Sequence, residues 1–123
     1  NADWSLILES SADIVSFDAY GYFDTFVLYP VQIKAFMEAG KILAWGIVPT
    51  LSASDIEKED LPSLLENWKE KAAQIESLGI DRETVRAQSL ITPSCGTGSS
   101  SLENAMKVLK LTSDLSGKLR AES

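Results

Sequence analysis

The single thiol of the chain, Cys95, sits in Ile91-Thr92-Pro93-Ser94-Cys95-Gly96-Thr97-Gly98-Ser99, directly after a short apolar run. A thiol at a strand's carboxyl end, just before a helix amino terminus, is placed where thiolate is favoured. The same residue also reads as a small buried side chain. Asp18 ends another apolar run, Ile14-Val15-Ser16-Phe17, where a carboxylate serves as metal ligand, substrate contact or helix cap. Tyr20, Tyr22 and Phe23 follow it, an aromatic cluster that reads as packing or as a binding platform. In Ala44-Trp45-Gly46-Ile47-Val48-Pro49-Thr50, Trp45 lies inside the run, as core or pocket wall, and Thr50 stands at its exit. The carboxylates Asp55, Glu57, Glu59 and Asp60 read as a solvated acidic loop. The chain has no histidine, so the commonest general base, proton shuttle and metal ligand is missing. Catalysis would rest on carboxylates, the phenols of Tyr20, Tyr22 and Tyr29, and the thiol of Cys95.

The stretch Gly96-Thr97-Gly98-Ser99-Ser100-Ser101 carries the first two glycines of a dinucleotide fingerprint, but Ser101 replaces the third. No lysine follows as a phosphate-binding loop would require. It reads as a strand-to-helix turn with exposed amides, able to meet a phosphate or carboxylate.

Elements must hold these residues in place. The apolar runs 14–17, 42–48 and 90–92 are nearly continuous, which suits strands buried on both faces of a parallel sheet. Pro30 opens a helical pattern with Ile33, Phe36 and Met37 on one face, and Gly40 can end it. The clearest helix spans about 61–78, with Asp60 as its cap and Gly79 after it. Residues 81–88 add a short helical turn. A last helix starts near Ser101, where Ser100 and Glu103 have capping-box spacing and Leu102, Ala105, Met106 and Leu109 face inward. Another helical pattern, Trp4-Ser5-Leu6-Ile7-Leu8, precedes the first strand, and residues 50–60 read as a loop after the second. Right-handed crossovers make the strands parallel, and ligands in such sheets bind at the strands' carboxyl ends.

Composition narrows the function classes. The chain has 123 residues, 45% of them hydrophobic, enough for one domain. A complete TIM barrel needs roughly 250 residues. Eleven basic residues against eighteen acidic give a net charge of −7, which repels phosphate backbones and argues against nucleic acid. No apolar run approaches the roughly 20 residues of a membrane span. One cysteine excludes an internal disulfide and fits a reducing cytoplasm. Asn1-Ala2 reads as the remnant of a cleaved tag, leaving residues 3–123 as an excised piece of something larger.

Four of these segments form a set. Asp3-Trp4-Ser5, Ser16-Phe17-Asp18-Ala19-Tyr20, Trp45-Gly46-Ile47-Val48-Pro49-Thr50 and Leu90-Ile91-Thr92-Pro93-Ser94-Cys95-Gly96-Thr97-Gly98 resemble the cobalamin-independent methionine synthase family. More broadly they look like the superfamily it shares with uroporphyrinogen decarboxylase and corrinoid methyltransferases. The resemblance implies an α/β fold: a partial TIM barrel made of the last three strand–helix units. It also implies a zinc ion in the full-length parent, activating homocysteine as a thiolate that takes a methyl group from a methylfolate or methylcorrinoid. Cys95 matches the last zinc ligand, and Asp18 falls where the family usually has Glu. Tyr20, Trp45, Thr50 and Ser94 then stand as substrate contacts. The family's His-x-Cys ligand pair would precede residue 3, so this piece alone is expected to be inactive and to hold little zinc. Strands cut from a barrel expose an edge and an apolar face, which leads to the expectation of a homodimer. Two alternatives remain beside this reading. One is a decarboxylase-like or corrinoid methyltransferase relative, and the other a non-enzymatic anion-binding module using the turn at 96–98.

Overall fold

Three short strands, β1 (Ile14–Phe17), β2 (Ile42–Val48) and β3 (Ser89–Pro93), pair in the order β1-β2-β3, all parallel. They belong to a computed structural model that describes residues 4–50, 52–94 and 101–122. Val15 stands beside Leu43, Phe17 beside Trp45 and Trp45 beside Ile91, so one sheet face is a continuous apolar surface. All of these side chains are buried. Only central β2 is covered on both faces. In β1 and β3 burial alternates, with Ile14, Ser16 and Leu90 exposed on the opposite face. Their apolar runs therefore overstated the burial of the outer strands.

Helices supply the cover. Helix α1 (Trp4–Leu8) precedes β1, while α2 (Phe23–Phe26) and α3 (Pro30–Glu38) lie between β1 and β2. Three helices separate β2 from β3: α4 (Ala53–Lys58), α5 (Leu61–Glu76) and α6 (Arg82–Ala87). The long α7 (Leu102–Glu122) follows. Asp60 and Ser63 form a reciprocal capping box at the start of α5. Gly40 and Gly79, after α3 and α5, adopt φ of 81° and 99°, conformations that suit glycine. Trp4, Phe17, Phe23, Phe26, Trp45 and Trp68 make the aromatic centre of the core, with Phe17 and Phe26 stacked at 3.9 Å. Among the described residues no helix is long and apolar enough to cross a membrane.

The expected partial TIM barrel is not found. The described strands form a small open sheet, and two helices, then three, intervene between its strands in place of a repeating strand–helix unit. Barrel closure requires a fixed strand number, tilt and stagger, none of which an apolar run encodes. Two further expectations are corrected. Residues 50–60 contain α4, whose start is capped by Ser52 accepting from the Asp55 N–H. The buried stripe of α7 is Val108, Leu111, Leu115 and Leu119, while Leu102, Met106 and Leu109 are exposed. The cap expected from Ser100 falls outside the described residues, and Ser101 Oγ accepts from the Asn104 N–H instead.

Gly46 marks the tightest packing in the sheet. A Cβ there would lie 2.9 Å from both the Phe17 carbonyl oxygen and Ser94 Cα, and the pairing of β2 with β3 shifts register between Gly46 and Val48. Gly46→Ala is expected to cost about 1–3 kcal/mol, because backbone on both sides must move. A denaturant midpoint within error of wild type would contradict this.

Candidate functional site

The carboxyl ends of all three strands meet at one cleft of about 240 Å³, lined in part by Asp18, Tyr20, Thr50, Asp55 and Ser94. Backbone hydrogen bonds set its shape. The Gly46 carbonyl of β2 accepts from both Ala19 N–H and Tyr20 N–H at 3.0 Å, which bends the chain leaving β1 across the strand ends. Ser94 N–H donates to the Val48 carbonyl at 2.8 Å, carrying the pairing of β3 one residue past its end. Thr50 Oγ1 and Ser94 Oγ then share a hydrogen bond of 3.0 Å across the gap. Thr50 is buried, so this bridge keeps its hydroxyl satisfied.

Asp18 closes a local turn. Its Oδ1 accepts from the Gly21 N–H at 2.9 Å, and its carbonyl accepts from Tyr22 N–H at 3.1 Å. One carboxylate oxygen is thereby committed to backbone, as Asp commonly does in turns. Tyr20 is held from the other side, its hydroxyl donating to Glu59 Oε2 at 2.7 Å. Glu59 also accepts from Ser63 Oγ at 2.6 Å, so it ties the β1 exit to the α4–α5 junction. Helix α4 brings Asp55 to the cleft wall, where it pairs with Lys58 at 3.1 Å on the surface.

Burial, with the Glu59 hydrogen bond and the Glu59 and Asp55 charges behind it, pushes the Tyr20 phenol far above its ordinary range. Tyr20 is therefore a neutral hydrogen-bond donor and no general base at neutral pH. The consequence for stability follows from its sign. An unfolded Tyr20 releases its proton near pH 10 whereas the folded one keeps it, so the stabilisation is complete below pH 10 and is lost as pH rises above it. Tyr20→Phe is expected to flatten the alkaline fall in stability; an identical pH profile in this variant would contradict the assignment.

Four expected site residues thus come together: Asp18, Tyr20, Thr50 and Ser94. Trp45 does not join them. It is wholly buried on the helix-covered face, stacked near Phe23 and donating from Nε1 to Ser89 Oγ at 2.9 Å. Cys95 and the turn at 96–98 lie outside the described residues. Asp55 and Glu59 belong to the site although their acidic surroundings read as a solvated loop. The signal was the spacing of Ser52 and Asp55 before Ile56, a helix-start pattern that turns those carboxylates toward the strand ends. A larger hollow of about 560 Å³ runs along α5 and, among the described residues, is lined by that helix alone.

The cleft can do definite chemistry. It offers carboxylate acceptors from Asp18 and Asp55 and hydroxyls from Thr50 and Ser94; among the described residues its lining holds no cation, and Lys58 pairs with Asp55 beside it. Such a wall favours a small polar ligand bearing a positive group. A protein zinc site needs at least three protein ligands, usually with nitrogen or sulfur among them. Among the described residues no three His, Cys, Asp or Glu side chains gather to hold a metal. The described donors therefore do not by themselves fit zinc. Comparison with protein families, with curated proteins and with solved structures finds no match for the chain.

Proposed function

We propose that the strand-end cleft is part of the substrate site of a thiol methyltransferase that converts homocysteine to methionine. The observation that carries this reading is the convergence of Asp18, Tyr20, Thr50 and Ser94 on one cleft, with Cys95 next in the chain. These belong to the segments that resemble the cobalamin-independent methionine synthase family. An amino-acid substrate suits the lining, its ammonium group against the carboxylate of Asp55. Thr50 and Ser94 hydroxyls orient it, and the neutral Tyr20 phenol keeps the β1 exit fixed against Glu59. In this reading Asp18 and Cys95 are two of the donors of a zinc site. Zinc, when bound, lowers the pKa of a thiol ligand so that it reacts as thiolate.

The test is methionine formation from homocysteine by the complete protein, with a methylfolate or a methylcorrinoid as donor. Asp18→Asn is expected to lower both zinc content and methionine formation at least ~10-fold, the loss of one charged ligand. Residues 1–123 alone are expected to form no methionine. Failure of the complete protein with both donors would overturn the reading.

A further inference from the structure

Helix α7 presents a second apolar stripe beside its buried one. Leu102, Met106 and Leu109 are 77%, 61% and 61% exposed, and steps of four and three residues set them in one row along the helix. Ser113, the next position of that row, is exposed as well. Single exposed apolar side chains are ordinary, but three large ones in a row mark a contact surface. Their four-three spacing is that of a coiled-coil seam, which a second helix can cover.

The flanks of the row favour one kind of partner. Glu103 and Lys110 stand seven residues apart on the same flank, and both are exposed. The other flank carries Ala105 and Thr112, which are uncharged. When two identical helices pack antiparallel, like flanks meet, and Met106 of one copy comes against Leu109 of the other. Glu103 of each copy then lies within a turn of Lys110 of the other, which gives two opposite-charge contacts related by the two-fold axis. A parallel pair would set each charged flank against an uncharged one and gain neither contact. Lys110 also bonds Asp114 at 3.1 Å one turn further on. That pair is exposed and worth little, and an ammonium group has donors for a second carboxylate.

We propose that α7 pairs with α7 of a second copy of this chain, antiparallel and two-fold symmetric, through Leu102, Met106 and Leu109. The seam is short beside the roughly 800 Å² per partner of a standard interface, so the dimer is weak and reversible. This places the homodimer on α7 rather than on the strand edges of the open sheet. The surface is separate from the strand-end cleft and does not rest on the methyl-transfer reading.

Sedimentation equilibrium of the chain between about 10 µM and about 1 mM is expected to show a reversible monomer–dimer equilibrium. Met106→Glu, an exposed position, should raise the dissociation constant at least ~10-fold with an unchanged circular dichroism spectrum. Glu103→Lys and Lys110→Glu each set like charges against one another and should weaken the dimer. The two substitutions together restore the opposite signs and should recover it. A monomer at every concentration would give the stripe to a different partner and overturn the inference. Dimerisation unchanged by Met106→Glu, or no recovery in the double exchange, would overturn it too.

Discussion

Trp45→Ala is expected to lower the thermal midpoint of the chain by about 10–20 °C, the shift that a loss of about 3–5 kcal/mol gives in a domain of this size. Trp45 is wholly buried, and its ring lies 5.2 Å from that of Phe17, 5.8 Å from Phe23 and 5.6 Å from Trp68. These neighbours come from β1, α2 and α5, so the cavity left by the indole would sit where strand and helix layers meet. They cannot all collapse into it, which puts the cost at the upper end for large-to-small changes. The lost hydrogen bond adds little, because Ser89 Oγ also donates to the Val85 carbonyl. Trp45→Phe should recover most of the loss. The experiment also separates two roles for Trp45. A pocket wall would change ligand affinity with little effect on melting, whereas a core residue changes melting. A midpoint shift below about 3 °C would contradict the core assignment.

Much of this fold is legible in local sequence. Asp60 before Leu61, Pro30 at a helix start, and Gly40 and Gly79 after helix ends are signals that act within one turn, and each is honoured. The three strands are legible because their apolar runs are short and bounded. Long-range facts were not legible. Whether parallel strands close into a barrel depends on tilt and stagger across the whole sheet, and the runs of β1, β2 and β3 are equally suited to an open layer. Helix α7 carries two apolar stripes, one through Leu102, Met106 and Leu109 and one through Val108, Leu111, Leu115 and Leu119. Both have helical spacing, and only tertiary packing chooses the longer one. The site divides in the same manner. Asp18 and Thr50 follow strand ends and are legible from that position, whereas Ser94 enters only through the family resemblance. Glu59 reaches Tyr20 across 39 residues of sequence, through a helix whose acidic composition concealed its start.

Under the proposed methyl-transfer reading, the largest effect on function is expected from Cys95→Ser in the complete protein. Ser94, the residue before it in sequence, has its N–H bonded to the Val48 carbonyl and its hydroxyl to Thr50. A thiolate is the softer and stronger zinc ligand, and a serine hydroxyl of nearly the same size is a poor replacement. Methyl transfer should fall by more than ~100-fold, since even an outer partner of a metal site can be worth that much. Stability of the sheet should change little, because the volume is nearly conserved. Loss of activity together with unfolding would instead make Cys95 a packing residue. Asp18→Asn should show a weaker form of the same behaviour, with its turn to Gly21 retained.

The most direct measurement is therefore zinc per chain by elemental analysis after dialysis, made on the complete protein, its Cys95→Ser variant and residues 1–123 alone. The proposed assignment predicts about one zinc in the complete protein, and far less than one in both the serine variant and residues 1–123 alone, whose described residues gather no group of three ligands. Zinc retained in the serine variant, or stoichiometric zinc in residues 1–123, would contradict it.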